Sequence, residues 1–285
     1  MPRDVARDAL YSGQINLWVE DVLTRAYLDA LWNDQAVKFL IGGGRDGVGA
    51  ILKDAEDAEY TYVFGVIDRD FGVSQAVDWM HPAKTFRKFV LPVHEVENYL
   101  LDPAALQASR YQNRSIEVRA IEDRMIAKAK QLCWWAACRD AIAELKRRFR
   151  EEFVPDPKQS VGDEATARAH ICGSPWFQKL ATGAARSSEG DVHALLTTAH
   201  ATASDRLEDG TWREDFAGKE ILRDVAGWMC DHTKIPKFPS SDVEFYSDLA
   251  KGVAAWQVAN SAVPADLIKL LAALKARIAR PISSP

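Results

Sequence analysis

Asp68 and Asp70 stand two residues apart at the end of the stretch YTYVFGVIDRDF, residues 60–71. In an extended chain, side chains at i and i+2 point the same way, roughly 7 Å apart. Two carboxylates so placed repel each other until a cation lies between them. A hard divalent ion such as Mg²⁺, or Mn²⁺ in its place, suits an all-oxygen donor pair. The run from Tyr60 to Ile67 carries no charge and is rich in β-branched and aromatic residues. It reads as a strand covered on both faces, the habit of a parallel sheet in an α/β domain. Such sheets bind their ligands beyond the carboxyl ends of the strands, where this pair falls. A solvated Asp-Arg-Asp turn is the plain alternative.

Other acids recur in comparable places. Ile15 to Val19 reads as a first strand and runs into Glu20-Asp21, with Asp21 set to cap a helix carrying Val22, Leu23, Ala26, Tyr27, Ala30 and Leu31. Val37 to Ile41 reads as a second strand, followed by Gly42-Gly43-Gly44-Arg45-Asp46-Gly47 and a helix from about Val48 to Ala58. After the third strand come a short helix from Val73 to Met80, stopped by Pro82, and a fourth strand from Phe86 to Val93. His94-Glu95-Val96-Glu97-Asn98 lies at its end. Strands alternating with helices predict an α/β fold, a parallel sheet with right-handed crossovers. Glu20, the Asp68 and Asp70 pair, and Glu95 with Glu97 would then gather at one edge of one sheet.

Two other motifs compete for attention. Gly42, Gly44 and Gly47 match G-x-G-x-x-G between a strand and a helix, and Asp68 stands near the end of the next strand, where a Rossmann acid would hold a ribose hydroxyl. Against a dinucleotide site, a strand ending in Glu20 precedes the glycines, and Asp70 and the fourth-strand acids have no part in holding ribose. His170-x-Cys172 and Cys230-x-His232 offer two thiols and two imidazoles for zinc, without the usual spacing of two to four residues. Separate buried cysteines are the ordinary reading.

From about Ser115 the pattern turns helical. Val118, Ile121, Met125, Leu132, Trp135, Ile142, Phe149 and Phe153 follow a spacing of three and four, as in one helix of more than thirty residues ending before Pro155. Its stripe suits core packing first and a dimer seam second. Arg139, Lys146, Arg147, Arg148 and Arg150 form either a solvated face or a set of phosphate contacts. Residues 155–217 are Ala-, Ser- and Gly-rich and weakly patterned, with helices and loops expected. Gly218-Lys219-Glu220-Ile221-Leu222 opens another helix, and Asp266 to Ala279 forms a last amphipathic one before Pro281. The division expected near residues 103–115 separates an α/β domain, 1–110, from a mainly helical one, 111–285.

Composition narrows the classes. With 285 residues, 47% hydrophobic and 27% charged, the chain reads as globular, with one sizeable core or two smaller ones. No apolar run approaches a membrane span and the start, MPRDVARDAL, lacks a secretory apolar region, so a cytoplasmic protein without membrane contact is expected. Cys133, Cys138, Cys172 and Cys230 lack CxxC spacing and suit reduced thiols. A net charge of −5 argues against general polyanion binding but permits a local basic patch.

Trp18-Val19-Glu20-Asp21, the glycine turn, Phe64 to Phe71 and Leu91-Pro92-Val93-His94-Glu95-Val96-Glu97-Asn98-Tyr99-Leu100-Leu101 together resemble the TOPRIM-like proteins of the DUF4435 group, over residues 15–102. Gly218-Lys219-Glu220 is similar to the G-K-[DE] element that such proteins often carry after a helical stretch. The group resembles the nuclease domains of OLD-type proteins and includes the nuclease effector of the two-component PARIS anti-phage system, which works with a separate ATPase. The resemblance implies a TOPRIM-like sheet, Mg²⁺-dependent phosphodiester hydrolysis, an ATPase partner, and tRNA as substrate in preference to DNA. It maps the family glutamate onto Glu20, the DxD pair onto Asp68 and Asp70, the later glutamate onto Glu97 and the lysine onto Lys219. No Walker A motif or attached ATPase is present in the sequence, so the ATPase would be a separate partner chain or absent. The implied chemistry has Glu20, Asp68 and Asp70 holding the metal, Glu20 acting as general acid or base, Glu97 holding a second metal and Lys219 steadying the phosphate. A homodimer is a further expectation. A different class also fits the acids: a sensor that binds metal or nucleotide and cleaves nothing.

Overall fold

The computed structural model describes residues 15–69, 87–109, 116–149, 157, 160–182, 188–233 and 241–278. Four parallel strands, β1 (Ile15–Val19), β2 (Val37–Ile41), β3 (Val63–Ile67) and β4 (Lys88–Val90), form a sheet of order β2-β1-β3-β4. The α/β parallel architecture is thus as the sequence predicts. β1 feeds β2 on one side and β3 lies on the other, so the chain reverses its direction of travel across the sheet between β1 and β3. In open α/β sheets a crevice forms outside the strand ends at this switch point. Glu20 follows β1 and Asp68 follows β3, which puts both at that crevice.

Alternation along each strand explains why both faces are covered. Ile15, Leu17, Val19, Phe64, Val66 and Phe89 join one core with Tyr27, Leu28 and Leu31 of α1 (Val22–Trp32). Val63, Ile67, Trp18 and Val90 face the other way, onto Val48, Leu52 and Ala55 of α2 (Arg45–Asp57). Gly65 makes that second contact close: a Cβ there would sit 2.6 Å from Val48 Cγ1 and 2.9 Å from Leu52 Cδ1. Asp21 caps α1, accepting from the Thr24 N–H at 2.8 Å, and Asn33 ends it with φ 42°.

Beyond β4 the chain makes a 3₁₀ helix (Val96–Leu100), α3 (Pro103–Ala108), α4 (Val118–Gln131), α5 (Cys133–Phe149), α6 (Glu164–Cys172), α7 (Pro175–Thr182), α8 (Glu189–Asp209), α9 (Trp212–Asp215), α10 (Gly218–Thr233), α11 (Asp242–Ala259) and α12 (Ala265–Ile278). Three expectations need correction. The apolar stripe from Val118 is two helices, not one, parted at Leu132. The third and fourth strands are shorter than the apolar runs that suggested them, since Tyr60 to Tyr62 and Leu91 to Val93 lie outside the strands. Glu97 accordingly stands on a 3₁₀ helix rather than at a strand tip. The helix expected over Val73 to Met80 lies outside the described residues.

The helices after residue 110 do not fold away from the sheet. Phe245, Leu249, Val253, Leu267 and Leu274 belong to the same buried cluster as Leu17 and Phe64. Gln257 on α11 accepts from the Tyr27 hydroxyl at 2.8 Å and donates to the Tyr99 carbonyl at 3.1 Å. A second core, around Cys138, Leu145, Ile171, Phe177 and Leu196, joins α5 to α8. The residues of the apolar stripe are spent inside these cores: Ile121, Met125, Leu132, Trp135 and Ile142 are buried, while Val118 is exposed. The stripe therefore offers no seam for a dimer along those positions. No helix of the described residues is long and apolar enough to cross a membrane.

Candidate functional site

Glu20 and Asp68 are joined directly: Glu20 Oε1 accepts the backbone N–H of Asp68 at 3.0 Å. The bond ties the ends of β1 and β3 together across the crevice. Asp68 in turn aims its carboxylate at the first turn of the 3₁₀ helix, where Oδ1 accepts the Val96 N–H at 3.1 Å. That N–H is one of the donors a helix start leaves open, so it holds an anion naturally. Glu95 and Asn98 close a reciprocal capping box at the same start, with the Glu95 N–H donating to Asn98 Oδ1 at 3.0 Å. The Asn98 amide also donates to the carbonyls of Arg213 and Phe216, at 2.8 and 2.9 Å.

Lys219 enters from the helical half of the chain. Its backbone N–H donates to Glu95 Oε1 at 2.5 Å, and its side chain is exposed. The approach is close because residue 218 is glycine: a Cβ there would lie 2.7 Å from the Asn98 backbone nitrogen. Arg69, between the two aspartates in sequence, pairs with Asp215 and donates to the Glu214 carbonyl at 3.3 Å, so α9 holds the segment that leaves β3. Arg45 donates to the carbonyls of Asp68 and Arg69, at 2.7 and 3.2 Å, from the glycine turn.

Crowding of like charges dominates the electrostatics. Burial, then Glu97, Glu20, Glu95 and Asp21 in falling order, push the Asp68 carboxyl well above its ordinary value. Burial and the neighbouring Glu95 raise Glu97 to about 8. Glu95 is also raised by burial, against the opposing pull of the Lys219 N–H and charge. Five acids on three segments thus share one field. Among the described residues no three His, Cys, Asp or Glu groups stand close enough together to hold a metal ion as they lie. Asp70, the second member of the pair, lies outside the described residues. The donor set is all oxygen and carries excess negative charge, which fits a hard divalent cation and not zinc or copper. Next to the acids, Asp21, Glu97 and Lys219 help line a cavity of about 220 Å³ that continues over α10 and α11.

Of the residues singled out from sequence, Glu20, Asp68, Glu97 and Lys219 converge here. Glu95 was noted for its position but not assigned a role; its E-x-E spacing with Glu97 was the available signal. Arg45, Asn98 and Arg213 gave none, because their partners are backbone carbonyls or residues about a hundred positions away.

The basic stretch requires correction at Arg139. It is 5% exposed, stacks on Trp135 with its guanidinium carbon 4.6 Å from the ring centre, and donates to His94 Nε2 at 3.3 Å. Helical register turns position 139 inward, so it cannot touch a nucleic-acid backbone. Burial and the Arg139 charge press His94 down to about 2, leaving the ring neutral. Arg147 and Arg148 are exposed and both pair with Glu144, at 2.8 and 2.7 Å, while Lys146 is half-buried and Arg150 lies outside the described residues.

Neither competing motif assembles the ligand site it suggests. Gly43 and Gly44 take φ of +79° and +107°, a left-handed turn only glycine enters easily. Two of the turn's N–H groups are already used: Gly42 donates to the Val19 carbonyl at 2.8 Å and Gly44 to the Glu20 carbonyl at 2.9 Å. β1 also lies between β2 and β3, whereas a Rossmann site needs the glycine turn and the ribose acid on neighbouring strands. Cys172 packs against the second core and Cys230 lies within the first, so the two thiols are not gathered for zinc. No protein-family model and no curated protein sequence matches the chain.

Proposed function

We propose that the chain is a divalent-metal-dependent nuclease that hydrolyses phosphodiester bonds in nucleic acid, tRNA in preference to DNA. The observation that carries the reading is the convergence of Glu20, Asp68, Glu95 and Glu97 at the β1–β3 switch point, with Lys219 brought against them from a distant helix. Asp68, Glu97 and Glu20, with Asp70, would hold Mg²⁺ or Mn²⁺. When bound, such an ion lowers the pKa of its water and neutralises charge developing on phosphate. The rest falls to the chain's own groups. The Asp68 N–H fixes one Glu20 oxygen and so orients the carboxylate that would take or give a proton. The exposed Lys219 ammonium offers a point charge to a phosphate at the cleft mouth. Glu95 holds the first turn of α10, and so the base of the Lys219 side chain, in place.

The resemblance to TOPRIM-like effectors supports two wider parts of the proposal: a role in anti-phage defence and restraint by a separate ATPase subunit. Incubating the purified protein with tRNA and with plasmid DNA, in Mg²⁺ or in EDTA, tests the chemistry. Cleavage of tRNA in Mg²⁺ alone, lost in Asp68→Ala, is the expected result. No cleavage of either substrate, with no calorimetric difference in Mg²⁺ binding between wild type and Asp68→Ala/Asp70→Ala, leaves a non-catalytic protein. Co-purification from native cells tests for the ATPase.

A further inference from the structure

The cavity beside the acids extends what the site can recognise. Its lining changes character along its length. Glu97 and Lys219 mark the end shared with the acidic cluster, and Val22, Leu222, Val243 and Tyr246 supply apolar wall. Val22 and Val243, both in the lining, are 42% and 57% exposed, so an apolar group entering the cavity would cover surface that water now meets. Tyr246 is the one aromatic residue in the lining, half-buried and buttressed edge-on by Phe245 at 5.0 Å. The volume of about 220 Å³ is below that of pockets for drug-sized ligands, which begin near 300 Å³. It suits one planar ring system and excludes a base pair.

We propose that this cavity receives a single unpaired nucleobase of the substrate, placing the adjoining phosphate between Lys219 and the acids. The inference rests on the nuclease reading and adds a substrate class to it: single-stranded or loop nucleotides, not uninterrupted duplex. Three features belong together under this assignment. An apolar wall with one aromatic ring binds the π-face of any base. Lys219 and Arg223 in the lining, set among Asp21, Glu97 and Asp242, supply the positive charge for the flanking phosphates. Glu97 belongs to both cavity and acid cluster, so a base in the first places its own backbone at the second. A duplex would have to flip a nucleotide out, which is costly unless the nucleotide is already unpaired.

The test separates base capture from cleavage. An RNA hairpin with 2-aminopurine in its loop is titrated with the full-length protein in Ca²⁺ in place of Mg²⁺, and emission and anisotropy are followed. The expected result is quenching and tight binding by wild type and Tyr246→Phe, and binding roughly tenfold weaker or worse by Tyr246→Ala, the loss typical of one base–aromatic stack. An abasic residue at the probe position tests the same contact without any protein variant. It should weaken wild-type binding by a similar factor and leave Tyr246→Ala binding unchanged. Unquenched probe, equal affinity for the abasic hairpin and the parent, or equal affinity for a blunt duplex overturns the base pocket, whatever the cleavage assay shows. Quenching with the expected losses supports it even where no substrate is cut in Mg²⁺, which would instead count against the nuclease chemistry.

Discussion

Glu97 is the residue whose environment has the most direct consequence. Its carboxyl is raised to about 8 by burial and by Glu95, against an ordinary value near 4.3 in the unfolded chain. A group whose folded pKa lies above its unfolded one favours folding while it can stay protonated. Its contribution is therefore complete below about pH 4 and is lost as pH rises through about 8. Metal-free protein should melt at higher temperature at pH 6 than at pH 9. Glu97→Gln, which stays neutral, should flatten that dependence; an unchanged slope in scanning calorimetry would place the titration elsewhere. The same proton competes with a cation. Mg²⁺ or Mn²⁺ affinity should fall by up to about tenfold per pH unit below pH 8, with proton release on binding, measurable by calorimetry in buffers of different ionisation enthalpy. Glu20 behaves differently from an exposed strand-tip acid, the environment its sequence position suggests. Because it accepts the Asp68 N–H, Glu20→Ala strands a partly buried donor and should cost about 1–3 kcal/mol. Glu20→Gln keeps an acceptor oxygen and is the cleaner variant. It should retain near-wild-type melting and lose roughly a hundredfold to ten-thousandfold in single-turnover cleavage if Glu20 moves a proton. A Glu20→Gln protein that cuts at the wild-type rate would remove it from the chemistry.

At the scale of elements, the contact between α10 and the 3₁₀ helix decides where Lys219 stands. Gly218→Ala would bring a methyl group to 2.7 Å from the Asn98 backbone nitrogen and 2.8 Å from Asn98 Cγ, neither of which is a loose side-chain end. Something must shift, at about 1–3 kcal/mol, and the shift moves Lys219 away from Glu95. Reduced melting temperature together with weakened cleavage is expected, and wild-type values for both would show that α10 yields without effect. Little of this contact was legible beforehand. Apolar runs and helical periodicity located β1, β2 and α1, because each buries a face in the first core. Strand ends were less legible: Tyr60 to Tyr62 and Leu91 to Val93 are apolar or aromatic enough to extend a strand, yet each run keeps only one bond to a neighbouring strand, Asn16 N–H to the Tyr62 carbonyl at 2.8 Å and Leu91 N–H to the Ile67 carbonyl at 2.9 Å, and lies outside the strands. Residues 155–217 are weakly patterned and contain the longest helix among the described residues, α8. It buries few residues, among them Val192, Leu196 and Ala203, so its ends were set by the Ser188–Asp191 capping box and by Gly210 at φ 86° rather than by an apolar stripe.

For the molecule as a whole, the question is whether the sheet can stand without the helices that follow it. The sequence suggested a division near residues 103–115, since strand patterning stops there. The packing crosses that line. α11 lies against α1, and Gln257 satisfies both the Tyr27 hydroxyl and the Tyr99 carbonyl. Tyr27 is fully buried, and burial raises its hydroxyl far above an ordinary phenol, so the ring stays neutral and needs its partner. Removing α11 and α12 would expose the core face formed by Tyr27, Leu28 and Leu31, which shares a buried cluster with Phe245, Leu249 and Val253 of α11. At roughly 1.5–3 kcal/mol for each large apolar side chain returned to water, the loss of even four such contacts matches the whole stability of an ordinary domain, about 5–15 kcal/mol. The site is divided in the same way, with Glu20, Asp68, Glu95 and Glu97 before the line and Lys219, Tyr246 and the Arg69 partner Asp215 after it. A fragment of residues 1–110 should therefore lack cooperative thermal unfolding and bind apolar dye, and the full chain should lose its sheet and its α11 contacts in one transition. Hydrogen exchange distinguishes the two cases. Matching protection for amides of β1, β3 and α11 indicates one cooperative unit. A folded fragment with a sharp melting transition of its own would show that residues 1–110 form an independent domain after all.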